Sequence, residues 1–247
     1  VATYDAGLGA IDRGNNEKMM YEVPVHKWAS LKDSSSEYNV TIMNDCKYGM
    51  DKPEDNLMRL TCIHTPQHKF LDGTRQDVQD FGENRFSYAI KGGKGNWQES
   101  ESALSGAKYN QPLVAVQTTV HEGSLPTEYS FVKVDNDIVE VQAIKPAEDS
   151  DEIIIRVNEP FGENVKNVEI QIGKGIESAR EVNGFEEHVG DAKVQDGKLV
   201  FDIDAFSLKT FAVKLAKSGN KVSQKQYVEI AIPCNTIISS TNMHRGE

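Results

Sequence analysis

Short runs of β-branched and aromatic residues, separated by Pro, Gly, Asn and Asp, recur along most of this chain and limit its fold more than any other feature. In the second half they are Phe131-Val132, Ile138-Val139-Glu140-Val141, Ile153-Ile154-Ile155-Arg156-Val157, Val168-Glu169-Ile170-Gln171-Ile172, Leu199-Val200-Phe201 and Thr210-Phe211-Ala212-Val213-Lys214-Leu215. Segments of this length and spacing build antiparallel β-sandwiches. In residues 37–43 the pattern alternates, with Tyr38, Val40 and Ile42 on one side and Asn39, Thr41 and Met43 on the other, the period of a half-buried strand. That strand runs into Asn44-Asp45-Cys46-Lys47-Tyr48-Gly49, where the Asx side chains can bond nearby backbone and Gly49 is expected to take a positive φ in a tight turn.

Elsewhere, residues 57–63 and 86–90 read as strands, and residues 97–109 as one short helix with Asn96 as its cap. Pro112 ends that helix, and Leu113-Val114-Ala115-Val116 returns to strand. Residues 121–126 are dense in turn formers and read as a linker. The expected fold class is therefore all-β, with two antiparallel β-sandwich units and one short helix. The units span residues 1–125 and 126–217, followed by a strand and connection in residues 218–247.

Length and charge narrow the function. A chain of 247 residues can bury a substantial core. Its net charge of −11 argues against a nucleic-acid surface, which needs clustered Lys and Arg. The longest apolar runs fall far below the roughly 20 residues of a membrane helix. Cys46, Cys62 and Cys234 lack paired CxxC spacing, so neither a disulfide framework nor a zinc knuckle is indicated. The first residues carry no basic segment followed by an apolar one, and they read as chain already under way.

Groups capable of chemistry are few. His64 and His68 have i, i+4 spacing, but Pro66 between them disfavours the helix that would align two metal-binding imidazoles. Asp72, Asp77, Asp80 and Glu83 could offer a carboxylate pair for glycoside hydrolysis, which requires two groups held about 5 to 9 Å apart in a cleft; solvated loop charge is the simpler reading. Trp28 and Trp97 suit either sugar platforms or core anchors, with core preferred. His26, beside Trp28, could stack on a sugar. Asn39-Val40-Thr41 is a formal glycosylation sequon within an alternating strand. G-x-S-x-G, Walker and HExxH motifs are absent from the sequence.

Two motifs carry a resemblance. Glu22-Val23-Pro24-Val25-His26-Lys27-Trp28 followed by Asn44-Asp45-Cys46-Lys47-Tyr48-Gly49 closely resembles the signature "EVP-x-H-(K/R)-W … NDCKYG" in the C-terminal β-region of glycoside hydrolase family 38 α-mannosidases. Gly7-Leu8-Gly9-Ala10-Ile11-Asp12-Arg13 is similar to the family's preceding "G-x-G-x-I-x-R" strand, and residues 139–160 to its terminal β-domain. Asp80-Phe81-Gly82-Glu83-Asn84-Arg85-Phe86 resembles "D-x-G-x-H-x-F", with Asn84 in place of the histidine.

The resemblance implies part of a large mutarotase-like super-sandwich followed by a smaller terminal β-domain. It implies no catalytic residue and no metal ligand in this chain, since the aspartate nucleophile and the zinc ligands of such retaining enzymes belong to a barrel that precedes these motifs. Arg13, His26, Asp45, Lys47, Tyr48, Asp80 and Gly82 become the cleft-lining or substrate-binding candidates. The implied partners are a catalytic barrel and helical bundle of the same polypeptide and a mannose-containing oligosaccharide. A free-standing carbohydrate-binding or structural β-sandwich module is the alternative, and exposed tryptophans in an open groove would favour it.

Overall fold

A computed structural model describes residues 1–64, 82–120, 122–123, 125–173 and 175–216. Its elements are β1 (Ala2–Asp5), β2 (Ala10–Arg13), β3 (Val23–Pro24), β4 (Trp28–Lys32), β5 (Tyr38–Asn44), β6 (Gly49–Glu54), β7 (Leu57–Leu60), β8 (Tyr88–Lys94), α1 (Ser102–Asn110), β9 (Val132–Val134), β10 (Glu140–Pro146), β11 (Ile153–Asn158), β12 (Val165–Ile172), β13 (Ile176–Val182), β14 (His188–Asp191), β15 (Lys193–Gln195), β16 (Lys198–Ile203) and β17 (Leu208–Leu215). The strands form antiparallel sheets in the orders β2-β1-β4-β5-β8, β3-β6-β7, β10-β11-β17-β13-β14 and β15-β16-β12-β9. Among the described residues the fold is all-β with one short helix.

The last two sheets face each other. Alternate residues of β11 and β17 (Ile155, Val157, Phe211, Val213) meet those of β12 and β16 (Val168, Ile170, Ile172, Leu199, Phe201, Ile203) in one continuous buried core. The odd-numbered face of β11 points into this core. On the opposite face Ile154 packs with Val182 and Ala212, so both sides of the central strands are covered.

The first five-stranded sheet is covered less completely. The small β3-β6-β7 sheet closes over β1 and β4 through Ala2, Tyr4, Val25, Ala29 and Met50. Tyr38 and Val40 on β5, with Tyr88 and Ile90 on β8, lie on the same face beyond that cover and stay exposed. The other face carries α1 and the turns before it, with Trp28 and Met43 against Ala103.

Here the buried side of β5 is its polar side. Asn39 Nδ2 donates to the carbonyls of Gly95 and Asn96 and to Ser100 Oγ, and Thr41 shares a 2.7 Å hydrogen bond with Ser102. Asn39 is 2% exposed and bonded in this way, so the sequon is sealed in the folded chain.

Two expectations fail in this region. Residues 113–116 follow α1 as exposed chain and join none of the described sheets. The helix begins five residues later than the periodicity predicts. Asn96 and Glu99 do form a reciprocal cap, Asn96 Oδ1 accepting the Glu99 N–H and Glu99 Oε2 accepting the Asn96 N–H. That cap starts only a single turn, because Glu101 adopts a left-handed conformation (φ 54°) and α1 starts after it.

A seam of side chains joins the two sets of strands. Trp97 sits 5.0 Å from Trp28 and stacks on Phe161 at 6.1 Å and 15°. The fully buried Glu159 carboxylate accepts the N–H groups of Phe161, Gly162, Glu163 and Phe206. The Phe206 ring lies so close to Gly9 that a Cβ there would sit 2.9 Å from it, which accounts for the second glycine of the G-x-G motif.

Candidate functional site

The turn at residues 44–49 is built from the inside outward. Asn44, 2% exposed, accepts the Lys47 N–H at Oδ1 and donates from Nδ2 to the His26 carbonyl, tying the turn to the strand entry that precedes Trp28. Asn110, at the end of α1, donates to the Asn44 carbonyl and fixes the turn to the helix. Asp45 accepts both the N–H and the hydroxyl of Ser87, at 3.0 and 2.6 Å, and Tyr109 donates to that same hydroxyl.

The Ser87 hydroxyl, then the Cys46 thiol and the Ser87 amide, hold the Asp45 carboxyl down to about 2. The thiol that donates to this carboxylate is itself pushed up. Asp45 is therefore a permanent anion committed to bracing, and it cannot deliver a proton near neutral pH.

What faces outward is a small set of donors. Lys47 Nζ lies 4.9 Å from the Phe86 ring centroid, a cation–π placement that leaves the ammonium partly accessible. Tyr48 is exposed, its ring 6.1 Å from that of His26 and tilted by 54°. His26 is exposed as well, its N–H bonded to the Asp5 carbonyl.

Gly49 does not take the positive φ expected of it. It pairs with Pro24 as the first residue of β6, and a Cβ there would meet the Glu22 side chain. The Glu22 carboxylate fills the space beside this glycine, so a side chain there would displace the Glu22 side chain.

The candidates thus gather unevenly. His26, Asp45, Lys47 and Tyr48 form one cluster. Gly82 (φ +147°) opens the segment that reaches this cluster through Arg85, Phe86 and Ser87, with Cys46 Sγ 4.0 Å from the Arg85 carbonyl. Arg13 lies elsewhere. It pairs with Ala2 at the far end of β1 from Asp5, and its guanidinium stands 6.0 Å from the Tyr4 ring. Asp80 and His68 fall outside the described residues.

Ser87, Tyr109 and Asn110 are the supports that sequence reasoning missed. Ser87 follows directly after the Asp80–Phe86 motif, and the other two end a helix, so no local pattern marks them. Trp28 is buried and Trp97 is sandwiched between it and Phe161, so both are core anchors and neither offers a sugar platform. Among the described residues no group of three His, Cys, Asp or Glu side chains converges to hold a metal ion. The residues described do not fit a divalent ion.

Comparison with known proteins accords with this architecture. The family model for the glycosyl hydrolases family 38 C-terminal domain matches residues 1–70, and that for the family 38 C-terminal β-sandwich domain matches residues 139–214. Alpha-mannosidase G of Dictyostelium discoideum is 27% identical over 220 residues, covering 85% of this chain and 19% of that protein. Alpha-mannosidase 2C1 of Mus musculus is 26% identical over 230 residues, covering 89% of this chain and 21% of the mouse protein. The crystal structure of an α-mannosidase from Enterococcus faecalis V583 superposes with a TM-score of 0.70 at 16% identity, over 86% of this chain and 24% of that one. That likeness is one of fold. The chain spans about a fifth of the length of the curated relatives it matches.

Proposed function

The chain belongs to glycoside hydrolase family 38, as the C-terminal β-region of that family, and from this premise we propose that it is the non-catalytic β-sandwich part of an α-mannosidase, a hydrolase that releases α-linked mannose. In this reading the chain packs on a zinc-dependent catalytic barrel and a helical bundle of one longer polypeptide and closes one side of their cleft over a mannose-containing oligosaccharide. The zinc belongs to the catalytic parts.

Residues 1–125 form part of the central sandwich and residues 126–217 the terminal β-domain; the strand and connection expected in residues 218–247 lie outside the described residues. The division is supported by the four sheets, none of which mixes described strands from the two sets.

The observation that carries the proposal is the outward set of the 44–49 turn. Its backbone is fixed by Asn44 and Asp45, and it presents Tyr48, Lys47 and His26 from a rigid sheet end, where scaffolds place function. Tyr48 and Lys47 donate to barrel loops or to mannose hydroxyls, and Asp45 keeps them in place. Gly82 opens the segment that leads to the same rim, while Arg13 stands apart from it at the other end of β1. The alternative of a free-standing sugar-binding module loses support because both tryptophans are enclosed.

Two measurements test the proposal. The chain alone is expected to release nothing from an aryl α-mannoside with zinc present; measurable release overturns the reading. Within a complete enzyme carrying this chain, Tyr48→Phe is expected to lower kcat/KM by roughly ten- to a hundred-fold, the equivalent of about 1.5 to 3 kcal/mol for a hydrogen bond acting on the transition state. Unchanged kcat/KM with reduced stability makes the turn structural.

A further inference from the structure

Residues 113–120, Leu-Val-Ala-Val-Gln-Thr-Thr-Val, combine three properties that do not ordinarily coincide in a connecting loop. They are rich in β-branched residues, they carry no charge in a chain whose net charge is −11, and every one of them is exposed. Leu113 is 101%, Val114 85%, Val116 81% and Val120 105% exposed. Linkers that remain in water are polar, as the segment just after this one is. An uncharged run of high β-propensity, held open, is instead the composition of a strand awaiting a sheet.

The segment also has the polarity of an edge strand. In extended chain Val114, Val116, Thr118 and Val120 share one face, all of them β-branched, while Leu113, Ala115, Gln117 and Thr119 share the other and grade from apolar to polar. Among the described residues no backbone hydrogen bond engages residues 113–120. Among the described residues only the Thr119 carbonyl is engaged, by the Thr118 hydroxyl at 3.4 Å, a local contact that ladder pairing would replace. Pro112, which lacks an N–H, marks where such a ladder begins, and Asn110 at the end of α1 anchors the preceding chain to Asn44.

We propose that residues 113–120 are a donor strand that adds to the open edge of a β-sheet in the part of a family 38 polypeptide that this chain does not cover. The proposal rests on the reading above that the chain works within a longer polypeptide, and it names the contact by which the two parts are stitched. The curated relatives supply the room for such a partner, because this chain covers only 19% and 21% of their lengths. Main-chain bonding gives the attachment strength, and the Val114, Val116 and Val120 side chains on one face fix its register.

Amide hydrogen exchange tests this in the 247-residue chain and in a hybrid where it replaces the matching region of the Enterococcus faecalis α-mannosidase. Residues 113–120 are expected to exchange freely in the chain alone and at least ~100-fold more slowly in the hybrid. Val116→Pro in the hybrid should return the neighbouring amides to free exchange. Free exchange of residues 113–120 in a hybrid whose Tyr38–Asn44 amides are protected overturns the proposal. So does protection in the chain alone, which would mean pairing within this chain or with a second copy. Should the hybrid not fold, the segment of the natural Enterococcus enzyme aligned with residues 113–120 decides, and free exchange there also overturns it. Turnover is read separately. A protected but inactive hybrid leaves the donor strand standing while the mannosidase reading fails, and an active hybrid with an exposed segment does the reverse.

Discussion

The two sets of strands on either side of residue 125 solve the same problem with unequal success. The later set closes two sheets over a continuous apolar core and covers the outer face of its central strands too. The earlier set has one five-stranded sheet, a three-stranded cover over part of one face, and a helix on the other. It leaves Tyr38, Val40, Tyr88 and Ile90 in water on one sheet face, and residues 113–120 entirely outside. Its buried β5 face is held by a polar network that demands several bonds to be satisfied at once. The difference teaches that a sheet with an apolar face left open, next to a set that needs no help, is shaped for an interface.

Core truncation should separate the two sets most widely. Phe211→Ala and Ile170→Ala are expected to destabilise the chain by about 3 to 5 and 2 to 5 kcal/mol, since both side chains are enclosed between sheets. Val40→Ala and Ile90→Ala should each cost less than about 0.5 kcal/mol in the chain alone, because their side chains already face water. Denaturant titration of the four variants checks this, and a large effect at Val40 would break the comparison.

The seam comes next. Glu159→Gln removes the charge from a buried acceptor of four backbone N–H groups and should cost about 3 kcal/mol. Thermal melts would also show whether the two sets of strands then separate. A loss no larger than that of a surface substitution would contradict the clamp.

Two carboxyl groups should give the smallest effects and opposite signs. Burial, reinforced by Asp5 and Glu159, pushes Glu140 up, while Lys27 and the Gln142 amide pull it down less. A raised carboxyl favours the folded state when protonated, so its contribution is present in acid and lost as pH rises through its folded value. Glu140→Gln should therefore raise Tm near neutrality and flatten that loss. Asp45, held at about 2, contributes stability above its unfolded value and loses it as pH falls toward about 2. Asp45→Asn should therefore lower Tm near neutrality and flatten the acid limb. Melts from about pH 3 to about pH 8 distinguish the two, and shifts of the same sign would refute the assignment.

What the sequence disclosed follows the same division. In the later set apolar runs coincide with strands, because both faces of the central ones are buried over Ile153-Ile154-Ile155 and Phe211-Ala212-Val213. There β13, with Glu177, Arg180 and Glu181, was not legible, since Glu181 pairs with Lys209 on β17 and Arg180 with Glu152 just before β11. In the earlier set the alternation of β5 was legible, but the network that buries its polar side depends on Ser100 and Ser102, some sixty residues away. β6 was hidden by Lys52 and Pro53, the lysine being fully buried and donating to Asn15 and the Glu54 carbonyl. Of the candidate site, the turn itself could be read; its braces from Ser87, Tyr109 and Asn110 could not, because they arrive from distant chain.

Both tryptophans of the chain, Trp28 and Trp97, lie in the earlier set, so their fluorescence reports that set and its seam, while far-UV circular dichroism reports every strand. Unfolding the 247-residue chain in urea with both probes tests the central claim most directly. Tryptophan fluorescence should change first, followed at higher denaturant by a separate loss of β signal from the closed sandwich. A single coincident transition would mean that the two sets stand or fall together, and would contradict an open part carried beside a self-sufficient one.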